Sequence, residues 1–450
     1  MSELLQGLSW SVRAELILVA CMLALLALAP RLEKSPLATT LLGLFGALAA
    51  AACGFQYDDI SRFGLFVVGG AMAAAMLLLH VAELFDGRQR PEAAALIIVG
   101  GLGALVIVLS ATLLEIAIGV EMLSLSSATL VALGRGRRAL EAGFKYFLLS
   151  ALTFAMFLFG MALLFLGAGH FSIDALHEEF GAARGIALAG AALMVMGLAF
   201  KLALFPVHFG ALDAYTAGPA SLVGFIMVAS KLGAAAGIAK IALGAGMPVQ
   251  SLLMGVGLAT LGLGVLASFA QTDLRRLLAY SAVAHAGFIA LGAAATNQAR
   301  ETTLFYVLSY GVAAALAFAA LAGTGASDEG ADDERPIARL GTGLGRVRAL
   351  VLLLALLSLA GVPPLPGFWA KLAVLMATWK TFGAVPTLLA ALGGVVGVIY
   401  YLRPMPDLLA QTKEDGPALS VGVVGAMLLL GGVLVFLTVA PGWGYWLAGG

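Results

Sequence analysis

The sequence predicts an all-α integral membrane protein of about fourteen transmembrane helices, and three observations carry that prediction. Of 450 residues, 62% are hydrophobic and only 11% charged, against roughly 45–50% and about 25% in a soluble domain. The apolar residues fall in runs that match a bilayer core about 30 Å thick, which takes roughly 20 residues of helix to cross. Those runs do not alternate in polarity as the strands of a barrel would. The 57 glycines, with abundant alanine, suit close approach of helix backbones in lipid, where small residues permit contacts that acyl chains cannot replace.

Splitting the runs at charged or Pro/Gly-rich breaks places spans near 14–30, 37–54, 63–82, 92–110, 111–133, 142–168 and 184–204, the last continuing through a break to about 215. The remainder lie near 220–240, 248–270, 276–294, 301–323, 347–378 (also interrupted), 383–402 and 418–440. The first run ends Ala-Leu-Ala-Pro near residue 30, like a cleavable leader, but the residues before it are not basic-rich and many spans follow. It reads as the first helix. The only long polar stretch, residues 323–345, is a solvated linker.

Lys and Arg collect in cytoplasmic connections. Connections after odd-numbered spans hold Arg31, Lys34, Arg88, Arg90, Arg135, Arg137, Arg138, Arg275, Arg276, Arg335, Arg339, Arg346, Arg348, Arg403 and Lys413. The opposite side holds Arg13, Arg62, Arg184, Lys240, Arg300 and Lys380. This asymmetry predicts both termini on the non-cytoplasmic side of the membrane and the linker on the cytoplasmic side.

The balance of 25 basic and 25 acidic residues gives no basic surface for nucleic acid and no polybasic lipid-binding patch; the lipid bilayer itself is the surrounding medium. Cys21 and Cys53 both sit in apolar runs, so neither a disulfide framework nor a metal site is expected. No phosphate-cradling loop and no Ser/His/Asp arrangement suggests hydrolysis.

The informative residues are charges within or at the edge of spans: Glu115, Glu121, Lys145, Lys201, Lys231 and Lys371. A charge at the bilayer centre costs at least roughly 2.5–3.5 kcal/mol, so such groups usually face the bundle interior and mark ion pathways or proton relays. Burial favours a neutral amine and a nearby carboxylate favours a charged one, so a lysine between those effects can load and release a proton. Lys201 lies beside Pro206 and His208, and Lys371 follows Pro363-Pro364-Leu365-Pro366-Gly367. A proline removes a helix hydrogen bond and frees carbonyls that can line a cavity.

Two broken helices in corresponding segments point to an inverted-repeat transport fold. Spans four to eight pair with nine to thirteen, with spans seven and twelve broken. The predicted organisation is three N-terminal helices in 1–91, a first five-helix repeat in 92–243, a second, inverted repeat in 244–403 and a C-terminal helix in 404–450. A purely structural ion pair is the alternative for Glu121, Lys201, Lys231 and Lys371. Lys145 and Glu115 can instead snorkel to the surface, and His208 and His285 can be packing residues. His80, His170 and His177 receive no role.

These residues carry a family resemblance. Gly197-Leu198-Ala199-Phe200-Lys201-Leu202-Ala203-Leu204-Phe205-Pro206-Val207-His208, then Asp213, Tyr215 and Ser230-Lys231, resemble the core of the antiporter-like subunits of proton-pumping NADH:quinone oxidoreductase, complex I. Three more stretches agree: Glu141 to Ser150, Arg275 to His285, and Gly361 to Lys371. Within the family, the chain length, the Glu-Ala-x-x-Lys-Tyr-Phe pattern at 141–147 and a lysine after the second break most resemble the subunit N branch. Where the family usually has Trp and Pro after the histidine, this chain has Gly210 and Leu212.

The resemblance implies a proton relay in a bacterial plasma membrane. Glu121 and Lys201 would pair, Lys231 would pass the proton laterally, and Lys371 would release it toward the periplasm. Lys145, His208, His285 and Glu115 would support that axis. It further implies a translocase subunit with no redox centre of its own. NADH, FMN, iron–sulfur clusters and quinone would be bound by partners: other membrane subunits and, indirectly, a peripheral redox arm. The alternative is a subunit of a multisubunit cation/proton antiporter or membrane-bound hydrogenase. A stand-alone solute transporter would need a polar substrate pocket beyond a single charged axis, and the sequence offers none.

Overall fold

The computed structural model describes residues 10–53, 59–81, 84, 89–173, 176, 184–295, 299–324, 345–410 and 419–447. Most of the polar linker, His177, Arg88, Arg335, Arg339 and Lys413 lie outside the described residues. The described chain is helical, with two isolated bridges, Leu84 with Gly134 and Thr112 with Ser172, as its extended pairings.

The main helices are α1 (Trp10–Ala27), α2 (Pro36–Cys53), α3 (Asp59–Leu78), α4 (Arg90–Leu109), α5 (Leu113–Ala132), α6 (Arg137–Ala168) and α7a (Arg184–Leu202) with α7b (Phe209–Ala217). After them come α8 (Ala220–Ala245), α9 (Met247–Phe269), α10 (Leu274–Ala294), α11 (Ala299–Leu321), α12a (Arg346–Ala360) with α12b (Pro366–Phe382), α13 (Ala384–Leu402) and α14 (Val421–Val439). Among the described residues, twelve helices are long and apolar enough to cross a membrane. The expected first and twelfth spans fall below that length: the apolar part of α1 is Ala14–Ala27, and α12 is divided into halves of 15 and 17 residues.

Two boundaries move and change the reading of a residue. Helix α6 starts at Arg137, not near 142, so Lys145 sits two turns inside a 32-residue helix rather than at its start. Helix α8 runs to Ala245, so Lys240 belongs to it and not to a connection.

Helix α8 is the axis of the bundle. It packs against α3, α4, α5, α7a, α10 and α11, and nearly every residue from Ala220 to Ala242 is buried. Helices α10 and α11 are almost as enclosed. The outer helices invert the soluble pattern, because their exposed stripes are apolar: Leu41, Phe45 and Leu48 on α2, and Leu388, Leu392, Val395 and Ile399 on α13. In water such surface would drive association; against acyl chains it costs nothing, and the backbone groups along a continuous helix bond within it.

Close crossings rest on glycines. A Cβ on Gly103 of α4 would stand 2.8 Å from the Gly119 carbonyl of α5, and one on Gly119 would stand 2.7 Å from the Gly103 carbonyl. Glycines 160 and 190 repeat the arrangement between α6 and α7a. Backbones in such contact gain dispersion energy without desolvating anything. We expect Gly103→Val to force α4 from α5 and lower the stability of the detergent-solubilised protein by about 1–3 kcal/mol, read as a shifted thermal or denaturant midpoint. An unchanged midpoint would mean that this crossing does not hold the two helices together.

Candidate functional site

Both breaks are built by the same local chemistry. Helix α7a ends in a Schellman motif: Leu204 N–H donates to the Ala199 carbonyl at 2.8 Å and Ala203 N–H to Phe200 at 3.0 Å, with Ala203 at φ 67°. Helix α12a ends likewise: Val362 N–H donates to Leu357 at 3.1 Å and Gly361 N–H to Ser358 at 3.0 Å, with Gly361 at φ 82°. A left-handed residue is what this motif needs, and alanine is the strained choice for it. The spacing from Ala203 to Pro206 recurs from Gly361 to Pro364.

The motif leaves the final carbonyls of each half-helix unpaired. In a continuous helix the carbonyls of Leu202, Leu359 and Ala360 would accept from residues 206, 363 and 364, and all three are prolines without an N–H. Lysines take those places. Lys231 of α8 is fully buried and donates to Leu202 O at 2.9 Å and to Ala282 O of α10 at 3.0 Å. Lys371 of α12b donates to Leu359 O at 3.0 Å and Ala360 O at 2.7 Å. The negative end of each half-helix dipole thus meets an amine. Across the first break, Phe205 N–H donates to Thr260 Oγ1 of α9 at 3.0 Å.

Lys201 is buried on the last turn of α7a, donating to the Tyr146 hydroxyl at 3.3 Å with its Nζ 4.5 Å from the centre of that ring. Glu121, part-buried on α5, makes no ion pair with it within 4.0 Å but is close enough for its charge to act on Lys201. Gly210 of α7b packs on the Phe200 ring, where a Cβ would come within 2.8 Å. The glycine that departs from the family pattern therefore abuts the residue next to Lys201.

His285 lies between Lys231 and Lys371, whose charges both act on it. Its Nδ1 is 2.8 Å from the Tyr306 hydroxyl and its Nε2 3.0 Å from that of Tyr401. The Tyr310 ring stands 4.7 Å from the imidazole and 5.4 Å from Lys231 Nζ. Lys201 with Tyr146, Lys231 beside Tyr310, and His285 with Tyr306, Tyr310 and Tyr401 thus make up a buried polar row, with Glu121 near Lys201 and Lys371 near His285. Among the described residues, buried hydroxyls of Ser150, Tyr215, Ser230, Ser309, Tyr310 and Ser358 have no hydrogen-bond partner.

Three expected site residues stand apart from the row. Lys145 is half exposed, 2.8 Å from Glu141 and 3.4 Å from Asp213 on the outside of α6. His208 is buried in the first break, its ring 4.0 Å from that of Phe209 and its Nδ1 without a partner. Glu115 closes a capping box: Oε2 accepts from Ala111 N at 2.6 Å and Thr112 N at 3.1 Å, while Glu115 N donates to Thr112 Oγ1 at 3.2 Å. Thr-x-x-Glu before an apolar run was the available signal. Sequence reasoning also missed Tyr146, Tyr306, Tyr310 and Tyr401, which the apolar context of their spans could have flagged. Among the described residues, no cluster of His, Cys, Asp or Glu could hold a metal ion.

A profile of the family described as "NADH:quinone oxidoreductase/Mrp antiporter, TM" matches residues 110–399. The protein named NADH-quinone oxidoreductase subunit N of Geobacter metallireducens is 33% identical over 408 residues, covering 86% of this chain and 85% of its own length. A chain of respiratory complex I from Thermus thermophilus superposes with a TM-score of 0.80 at 28% identity, covering 95% of this chain and 97% of that one. A chain of the Mrp complex from Dietzia superposes with a TM-score of 0.81 at 18% identity over 98% and 97% of the two chains, a likeness of fold.

The capping geometry predicts how Glu115 responds to substitution. Glu115→Gln keeps a side-chain acceptor for the Ala111 and Thr112 amides and is expected to behave as wild type. Glu115→Ala should destabilise the start of α5 by about 0.5–2 kcal/mol. Thermal melts together with proton-uptake assays of both variants check this; an uptake defect in Glu115→Gln equal to that in Glu115→Ala would make Glu115 a titrating acid instead of a cap.

Proposed function

The chain belongs to the NADH:quinone oxidoreductase/Mrp antiporter transmembrane family, and from that premise we propose that it is the N-type proton-translocating subunit of an NADH:quinone oxidoreductase, moving protons along the row Glu121, Lys201, Lys231, His285, Lys371. The observation that supports this reading most is the pair of broken helices whose freed carbonyls are held by Lys231 and Lys371. Amines bonded only to neutral oxygens are buried without being locked to a fixed anion, so they can exchange a proton without breaking an ion pair.

The row reads as a sequence of short transfers. Glu121 tunes the first amine through space, and Tyr146 and water on the neighbouring serines carry the proton from Lys201 toward Lys231. The His285 imidazole, between two tyrosine hydroxyls, accepts on one nitrogen and donates from the other. It thereby joins Lys231 to Lys371, from which the proton leaves toward the periplasm. Lys145, His208 and Glu115 support the axis, by charge at its flank, packing in the first break and capping of α5 respectively. The chain binds no redox cofactor of its own in this reading. NADH, FMN, iron–sulfur clusters and quinone belong to a peripheral arm, and this chain sits among sister membrane subunits in a bacterial plasma membrane.

Matching local devices support two inverted repeats, α4–α8 and α9–α13, within fourteen crossings and with both termini periplasmic. Besides the two breaks, the helices α5 and α10 each start with a side-chain cap, Thr112 on Glu115 N and Asp273 on Arg276 N. The limits expected at 92–243 and 244–403 then shift to the helix ends, Arg90 to Ala245 for α4–α8 and Met247 to Leu402 for α9–α13, with three helices before and one after. The likeness to the Dietzia Mrp chain supports the fold of the alternative, a cation/proton antiporter subunit; copurification with quinone-reducing rather than antiporter subunits decides between them.

In the intact complex reconstituted into vesicles, Glu121→Ala, Lys201→Ala and Lys371→Ala should each slow proton transfer through this chain by roughly 100-fold or more, the lower end of what a lost proton carrier costs, read as fewer protons moved per NADH oxidised. Lys380→Ala, on the last turn of α12b, should leave the ratio unchanged. Wild-type stoichiometry in fully assembled Glu121→Ala and Lys201→Ala complexes would overturn the relay.

A further inference from the structure

Two cations outside the row make matching contacts that the relay does not use. Lys240, near the end of α8, donates to the carbonyls of Ile107 at 3.1 Å, Val108 at 2.9 Å and Ser110 at 2.7 Å, with the Ser110 hydroxyl at 2.9 Å. It grips the C-terminal end of α4. Arg403, the residue after α13, donates through Nη1 to Phe269 O at 2.7 Å, the last residue of α9. In the repeat arrangement proposed above, α4 and α9 are the first helices of the two repeats, and α8 and α13 the last.

Resting on that reading, we propose that Lys240 and Arg403 are matched positioning residues, each tying the C-terminal end of a repeat's first helix to its last helix and so setting the height at which the relay side chains meet.

The path from each clamp to the row is short and stiff. After the carbonyls held by Lys240, the last of them that of Ser110, only Ala111 and Thr112 intervene before α5, and the junction is pinned again by the Glu115 capping box and by Leu113 N–H donating to Phe171 O at 2.8 Å. Glu121 lies two turns farther along α5, while Lys231 lies on the helix that carries Lys240. A change in the grip therefore shifts the carboxylate helix against the amine helix. The second clamp acts on the next pair: α9 leads through Asp273 into α10, which carries His285 and the Ala282 carbonyl, and α13 carries Tyr401, bonded to His285. A cation at a helix C-terminus is favourable for both the exposed carbonyls and the dipole.

The test uses the intact complex in vesicles, with protons moved per NADH oxidised as the readout. Lys240→Gln should lower the ratio by about twofold or more, since displacing a transfer partner by about 1 Å slows transfer by up to roughly 100-fold. Lys240→Arg, which still donates to the carbonyls but cannot release its proton at working pH, should restore it. Arg403→Gln should lower the ratio in the same direction. A wild-type ratio in Lys240→Gln overturns the proposal, and so does a ratio in Lys240→Arg as low as in Lys240→Gln, because the amine would then act as a carrier. If Lys240→Gln does not assemble, Ser110→Ala removes one of the four contacts with little change in volume, and a wild-type ratio there overturns the clamp. Glu121→Ala measured alongside separates the two ideas: if it pumps normally the relay itself fails, whereas normal pumping by Lys240→Gln beside a defective Glu121→Ala removes only the clamp.

Discussion

A peptide carbonyl within a bilayer has no water to bond, and leaving it unpaired costs several kcal/mol. Two half-helices that stop inside the bundle generate such carbonyls by necessity. The Schellman turns at Ala203 and Gly361 absorb part of the deficit, and Lys231 and Lys371 absorb the next part. Much of the architecture follows. Helix α8 has to lie at the centre so that Lys231 can touch both the end of α7a and the side of α10. Helices α10 and α11 have to be enclosed because they wall that contact.

The same contacts explain how amines survive at depth. A lysine at the centre of a membrane helix costs roughly 2.5–3.5 kcal/mol on insertion scales. A hydrogen bond to a charged group returns about 1.5–3 kcal/mol, so two carbonyls each for Lys231 and Lys371 are of the size needed to offset that cost. A buried carboxylate partner would do so as well, but would bring its own desolvation and hold the amine charged. Glu121 stands back from Lys201, near enough to influence it and too far to lock it. Lys145, which has direct carboxylate partners, is half exposed and off the row.

Particular residues explain what the sequence could and could not convey. Proline within an apolar run is an unambiguous sign of a break, so both breaks were legible, and charges in apolar spans identified Lys201, Lys231 and Lys371. The partners of those lysines were not, since which carbonyl an amine reaches depends on how α8 crosses α7a and α10, a tertiary property with no trace in spacing. Lys240 was misplaced because a lysine near the end of an apolar run looks the same whether the helix stops before it or carries it on to Ala245. Lys145 was read as a helix start because the basic pair Arg137-Arg138 resembled a connection, whereas it forms the first turn of α6. The tyrosines escaped notice because an aromatic residue in a span is usually packing, and only the meeting of three helices turns Tyr306, Tyr310 and Tyr401 into a cage around His285.

The two halves are alike in their breaks and unlike in who holds them. The first break is held by a lysine on a different helix, and Lys231 also bonds to Ala282, so one amine joins three helices. The second is held by Lys371 of α12b itself, and α13, which the proposed repeats pair with α8, carries Gly393-Gly394 and no charged residue between Ala384 and Leu402. A proton gained or lost at Lys231 therefore changes a contact among separate helices and is felt across the bundle. The hydrogen bonds of Lys371, by contrast, join only the two halves of one broken helix. In the proposed relay, the amine held among three helices is therefore the one that movement of the bundle reaches most directly.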